Sequence, residues 1–198
     1  MKKRDVRRSG NCPTRLYVTQ WFNTEKPVTL SDLTGRVVAI EAFQMLRPGC
    51  VSHGIPQTKR IRAAFPESEV AVIGLHTVFE HHAAMEPVSL QAFLFEYGIT
   101  FPVGVDAPSE KSPTPKTMQA WGQRGMPTLY LLDGTGRIRA AHLGQTHDMI
   151  IGAEIATLLA EDTESIDAFD NDAAVGLASK GTVCRPTART ETAPRDNS

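Results

Sequence analysis

The sequence has almost no net charge and no long hydrophobic run. Its 21 Lys and Arg residues nearly balance 22 Asp and Glu, which leaves a formal net charge of -1 at pH 7. A nucleic-acid-binding domain would show a strongly basic patch or stripe, so DNA and RNA are excluded as predicted partners. No apolar run approaches the eighteen or so residues of a membrane span, and no apolar stretch of a secretion signal follows the basic start. We therefore predict a soluble, cytoplasmic protein that does not associate with membranes.

Cysteine is scarce and unevenly placed. The 198 residues include three, Cys12, Cys50 and Cys184. An odd number at such wide spacing is not the pattern of a secreted domain held together by disulfides. At least one thiol is therefore predicted to be free, and Cys12 and Cys184, in polar segments, are interpreted as incidental surface thiols.

The histidines do not indicate a metal site. His81 and His82 are adjacent, with His76 nearby, but neighbouring residues of an extended segment point to opposite sides. No cysteine or carboxylate at ligand spacing completes a closed zinc site. We predict a polar loop at this place and no bound metal.

The hydrophobic pattern predicts a strand, a helix and a second strand in succession. Residues 37–43 form a β-branched run typical of a buried central strand, interrupted only by Glu41. Residues 50–65 have apolar positions at helical spacing, with Pro56 expected to kink the helix. Residues 70–75 form the second buried strand. This βαβ unit favours parallel pairing of the two strands.

The remaining pattern completes one domain. Further elements are predicted as a helix at 89–97, a strand at 100–105, a short helix at 116–121, a hairpin turning at Asp133-Gly134 and a terminal helix at 149–159. We predict a disordered basic N-terminus at 1–14, a folded domain at 15–162 and a disordered tail at 163–198. The tail is small, polar and Pro-containing, and therefore cannot offset the entropy lost on ordering.

This order of elements, with Arg47-Pro48-Gly49-Cys50 before the helix and Gly125-Met126-Pro127-Thr128 before the hairpin, resembles the thioredoxin fold. The fold is an α/β architecture with a central mixed sheet flanked by helices. Residues 41–53 resemble the TlpA-like and AhpC/TSA-type redoxins, which carry Cys-Pro-Gly-Cys followed by Val-Ser-His-Gly. In this chain Arg47 stands in place of the first cysteine.

The resemblance implies a thiol-disulfide oxidoreductase or antioxidant protein with an incomplete active site. In the family the first cysteine attacks the substrate disulfide and the second resolves the mixed disulfide, but Arg47 is not a sulfur nucleophile and only Cys50 remains. The resemblance further implies that Glu41 is the buried acid that relays a proton to Cys50. Pro127, after Met126, matches the cis-proline loop that pairs with the substrate backbone. The implied partners are protein thiols or disulfides, small thiols such as glutathione, and peroxide; no cofactor is implied.

The residues leave the chemistry of Cys50 open. A helix N-terminus and the nearby Arg47 lower a thiol's pKa, whereas burial raises it. We expect a lowered pKa, with a half-buried inert thiol as the alternative. Glu41 is expected to have a raised pKa or to pair with a group near the motif, for which Arg47 is one candidate. His53, three residues after Cys50, is expected to face solvent.

Three hypotheses follow from this motif. In the first, the protein is a one-thiol oxidoreductase or thiol peroxidase that needs an external thiol for resolution. In the second, it is a catalytically inactive module that binds polypeptides in the groove beside Pro127. In the third, Arg47 is a substitution, natural or engineered, in an otherwise ordinary dithiol enzyme.

Overall fold

A computed structural model describes residues 15–173 of the chain, with side chains described to residue 161. Its centre is a six-stranded sheet in the order β1-β4-β3-β2-β5-β6. The strands are β1 (Val18–Phe22), β2 (Val37–Phe43), β3 (Val70–His76), β4 (Val103–Asp106), β5 (Thr128–Leu132) and β6 (Ile138–Leu143). The helices are α1 (Ile55–Ala64), α2 (Pro87–Glu96), α3 (Lys116–Ala120) and α4 (Asp148–Ala173).

Strand β2 lies in the middle of the sheet, as its apolar run predicts. It pairs in parallel with β3, from Val37 opposite Val70 to Phe43 opposite His76, and antiparallel with β5. All seven residues of β2 are buried. Alternate side chains enter the two hydrophobic clusters on opposite faces of the sheet, which is why a continuous apolar run is needed here. The predicted parallel pairing is confirmed.

The helix after β2 differs from the prediction in its first turn. The segment Cys50–Gly54 forms one wide turn, in which the N–H of Ile55 donates to the carbonyl of Cys50, and α1 begins only at Ile55. Pro56 has no N–H to donate and its ring crowds the carbonyl four residues earlier. A widened turn before the proline accommodates both effects, so Pro56 lies at the start of α1 rather than at a kink inside it.

The hairpin between β5 and β6 follows the predicted turn. The carboxylate of Asp133 accepts the N–H groups of Thr135 and Arg137 at 3.1 Å each. Gly136 has φ of +83°, a left-handed conformation that glycine adopts without strain. The predicted hairpin turn at residues 133–136 is therefore confirmed, with Asp133 in a structural role and Gly136, rather than Gly134, in the left-handed conformation.

The last helix extends beyond its predicted end at residue 159. Helix α4 continues to Ala173, into the segment predicted as a tail. Residues 1–14 and 174–198, including Cys12 and Cys184, lie outside the described residues. Within residues 15–173 no helix is both long and apolar enough to span a membrane.

Candidate active site

The segment Arg47-Pro48-Gly49-Cys50, called the motif below, forms a tight turn after the end of β2. The N–H of Arg47 donates to the carbonyl of Gln44 at 3.1 Å, and the carbonyl of Arg47 accepts the N–H groups of Cys50 at 3.0 Å and Val51 at 3.2 Å. The backbone on both sides of Arg47 is therefore held in place. This turn places Cys50 at the first position of the wide turn that leads into α1.

The thiol of Cys50 is buried and weakly acidic. Its exposed fraction is 0%, and its Sγ accepts the backbone N–H of Gln44 at 3.4 Å. Burial raises the pKa of Cys50 to about 11; the Gln44 hydrogen bond opposes this, the charge of Glu41 adds to it and the charge of Arg47 slightly opposes it. The expected lowered pKa is therefore wrong, because burial dominates.

Arg47 turns away from the interior. Its Nη1 donates to Oε1 of Glu80 at 2.8 Å, and its guanidinium lies 5.9 Å from the centre of the Phe79 ring. Both partners belong to the loop after β3. Arg47 is therefore paired with Glu80 rather than with Glu41, the alternative that the sequence had offered.

Glu41 lies beneath the wide turn with its carboxyl group sealed from solvent. The residue is 2% exposed, and its Oε1 has no hydrogen-bond partner. The carboxyl group packs against Gly54, where any Cβ would overlap Oε1. Burial without a compensating partner raises the pKa of Glu41 to about 8, so the raised pKa expected from the sequence is confirmed.

Glu41→Gln should remove a pH-dependent loss of stability. The folded carboxyl group keeps its proton up to a pKa of about 8, whereas an unfolded one releases it near 4.5. The unfolded state therefore binds fewer protons between these values, and the free energy of unfolding falls as pH rises through that window. We expect the free energy of unfolding of the variant, relative to that of the parent, to rise by on the order of a few kcal/mol between pH 4 and pH 9.

The measurement is urea unfolding from pH 4 to 9, analysed as the difference between variant and parent. Glu67→Gln is the control, because Glu67 is an exposed carboxylate paired with Arg62. A difference curve for Glu41→Gln that is flat across this range, like that of the control, would contradict the buried, protonated state of Glu41.

The Met126-Pro127 peptide bond is cis, as the resemblance implies. Pro127 packs over the motif: an ideal Cβ on Gly49 would lie 3.3 Å from its Cδ, and one on Gly54 would lie 2.9 Å from its Cβ. The carbonyl of Pro127 accepts the N–H of Gly144 at 2.8 Å. The cis-proline loop, the motif and the start of α1 are therefore in direct contact.

The surface around Pro127 combines apolar and polar groups. Leu46 beside the motif and Leu143 beside the cis-proline loop are 55% and 56% exposed. A polar cleft of about 120 Å³ starts at Gly144, the residue after Leu143, and is lined by residues of α1, the preceding turn and the β6–α4 loop, among them His53, Gln57, Arg60, His147 and Asp148. In this cleft Asp148 accepts hydrogen bonds from Gln57 and Arg60. His53 is exposed, as expected.

The three histidines in and after β3 lie in different environments. His76 is 1% exposed, its ring lies 5.3 Å from that of Phe43, and burial lowers its pKa to about 4. His81 and His82 are exposed. Among the residues with described side chains, no group of three His, Cys, Asp or Glu is arranged to hold a metal ion.

Several site residues were missed by sequence reasoning. Glu80 and Phe79 lie in a polar loop more than thirty positions from Arg47 in the chain. Gln44 acts through its backbone N–H and carbonyl groups, which every residue has, so its side chain gives no indication of this role. Gly54 could not be identified from its neighbours either, because its contact with the Glu41 carboxyl group is visible only in the structure.

A buried thiol at the first turn of a helix, an acid beneath it and a cis-proline beside it, on a mixed sheet flanked by helices, define a protein of thioredoxin-like architecture. The chain is 59% identical to the thioredoxin-like superfamily protein SPOA0173, whose crystal structure superposes with a TM-score of 0.72 over 73% of this chain and 94% of that one. It is 46% identical to a thiol-disulfide isomerase from Corynebacterium glutamicum, with a TM-score of 0.70 over 73% of this chain and 93% of that one.

The chain therefore belongs to the thioredoxin-like superfamily, in the group of thiol-disulfide oxidoreductases. It is also 30% identical over 138 residues to the proteins DipZ of Mycobacterium bovis and Mycobacterium tuberculosis. This match covers 69% of the chain but 19% of the DipZ proteins. No protein-family model matches the chain. The thioredoxin fold predicted from the sequence is confirmed.

Proposed function

We propose that the protein catalyses thiol-disulfide exchange on polypeptides with an incomplete, one-thiol active site. Cys50 is the reacting sulfur, Glu41 takes its proton, and the groove beside Pro127 holds the substrate backbone. The observation that carries the proposal is the convergence of these groups: Gly54 separates the Glu41 carboxyl group from Pro127, and the thiol lies on the same turn.

The proposed exchange has two steps. The Cys50 thiolate attacks one sulfur of a substrate disulfide, so that the old S–S bond breaks, a mixed disulfide forms and the other sulfur leaves as a thiolate that takes a proton from solvent. The Cys50 proton goes to the ionised form of Glu41. An external thiol, such as glutathione or a protein thiol, then attacks the substrate sulfur of the mixed disulfide, and Cys50 leaves and regains its proton.

Peroxide reduction is the less favoured version of this chemistry. Attack on an O–O bond needs the same thiolate as attack on a disulfide, but a solved structure 46% identical to this chain is named a thiol-disulfide isomerase and so favours disulfide exchange. Glu41 is positioned to assist deprotonation only where its own carboxyl group is ionised, which becomes the major form above about pH 8.

A cytoplasmic location stays a prediction from the sequence.

The complete burial of Cys50 favours a second candidate function. A protein that keeps the Pro127 groove, but whose thiol does not reach a substrate, would bind extended polypeptides without redox chemistry. The exposed side chains of Leu46 and Leu143 support this use of the surface.

Cys50→Ser separates the two functions. In a chain with Cys12→Ser and Cys184→Ser, we expect turnover of a fluorescent peptide disulfide by reduced glutathione to exceed the uncatalysed rate and to rise through about pH 8, where Glu41 ionises. Cys50→Ser should return the rate to the uncatalysed value, because the reacting sulfur is gone.

Binding of the same peptide, followed by fluorescence polarisation, completes the test. Equal turnover with and without Cys50 would exclude the redox proposal. If neither protein turns the peptide over and both bind it equally, the function is the non-catalytic binding module.

A further inference from the structure

The ion pair between Arg47 and Glu80 connects the motif to the loop after β3. This loop is anchored at its start, where the N–H of Thr77 donates to the carbonyl of Phe43 at 3.0 Å. Phe79 packs against the core cluster that contains Cys50. The backbone of Arg47 is fixed by the motif turn, and its guanidinium contacts Glu80 and Phe79.

The pairing of the Arg47 guanidinium with Glu80 affects how strongly Arg47 can stabilise the Cys50 thiolate. A lone guanidinium near a thiolate stabilises it, whereas a guanidinium paired with a carboxylate at 2.8 Å forms a neutral pair whose field falls off quickly with distance. Two ionisable groups act on Cys50: Glu41 from β2, which opposes ionisation of the thiol once its own carboxyl group is ionised, and Arg47, whose favourable effect is the smallest of the contributions.

We propose that Glu80 is a positioning residue that pairs with Arg47 and so limits the stabilisation that Arg47 gives to the Cys50 thiolate, which burial already disfavours. Both side chains of the pair are partly exposed, 40% for Arg47 and 44% for Glu80, so the expected effect on the thiol is modest. The inference rests on the proposed function only in taking Cys50 as the reacting group. It assigns Glu80 to the control of that group.

The test is the rate of Cys50 alkylation by iodoacetamide from pH 6 to 11, in the full chain with Cys12→Ser and Cys184→Ser. Glu80→Gln should raise the rate at pH 8 about two- to fivefold and lower the midpoint of the pH profile, since a difference of this size matches an exposed ion pair. Glu67→Gln is the matched control, because it removes the carboxylate of another exposed Arg–Glu pair, at 2.6 Å from Arg62. It should leave the profile unchanged.

A second background shows whether the effect passes through Arg47. With Arg47→Gln in place, Glu80→Gln should have no further effect on alkylation. An equal acceleration in that background, or no acceleration of Glu80→Gln over Glu67→Gln, would overturn the inference. Alkylation reads the thiol without any disulfide substrate, so a faster thiol with no peptide turnover would support the role of Glu80 while excluding the proposed redox function.

Discussion

Arg47→Cys is expected to convert the protein into a dithiol reductase. The side chain at position 47 is 40% exposed, so a cysteine there would be accessible to substrate. The hydrogen bond from the N–H of Cys50 to the carbonyl of residue 47 closes a turn, and turn residues three apart have Cα atoms within about 7 Å. That distance is compatible with a disulfide between positions 47 and 50.

The chemistry of this variant follows from the remaining site. The new thiolate attacks the substrate disulfide, and Cys50 then attacks the sulfur of residue 47, releasing the substrate as a dithiol and leaving a 47–50 disulfide. The proton of Cys50 passes to the ionised form of Glu41, and dithiothreitol reduces the enzyme again. Because a resolving thiol held in place acts at a far higher effective concentration than a free one, we expect at least about a tenfold gain in rate.

The measurement is the dithiothreitol-dependent reduction of a peptide disulfide by the parent and the variant. Arg47→Ser is the control, because it also breaks the pair with Glu80 but adds no sulfur. Cys50→Ser combined with Arg47→Cys should accumulate a mixed disulfide with the substrate, detectable by mass. If Arg47→Cys is no faster than Arg47→Ser, the scaffold does not retain a working dithiol site.

Gly54→Ala should destabilise the protein although alanine is the better helix former. Gly54 has φ of -59° and ψ of -58°, which alanine adopts readily. At an exposed position inside a helix, replacing glycine by alanine raises the free energy of unfolding by up to about 1 kcal/mol. Here the added methyl group would overlap the carboxyl group of Glu41 and lie 2.9 Å from the Cβ of Pro127. Overpacking of this kind costs about 1–3 kcal/mol, so the free energy of unfolding should fall.

The matched control is Gly152→Ala in α4. An ideal Cβ there has no atom within 4 Å, so this variant should be stabilised by up to about 1 kcal/mol. Urea unfolding of both proteins at pH 6 gives the comparison. Equal stabilisation of the two variants would show that the Glu41 carboxyl group does not lie against Gly54.

Local pattern was sufficient for much of the fold. The apolar run of β2, the β3 run and the Asp133 turn each depend on neighbouring residues, and the structure confirms them. The start of α1 was missed because periodicity treats a helix as uniform, whereas Pro56 acts on a single carbonyl and widens one turn. The position of Pro127 over the motif came from the resemblance, because nothing in its neighbours distinguishes it from other prolines.

The sequence by itself determined the order of strands and helices, the lone acid in β2 and the arginine at position 47, since these depend on covalent identity and short-range periodicity. Only the tertiary structure decided that Cys50 is buried with a pKa of about 11, and that Arg47 pairs with Glu80, thirty-three positions away. Both outcomes depend on which distant segments meet. Burial and Coulomb interactions act through space, so their balance at the thiol is set only when the β2 and β3 loops come together.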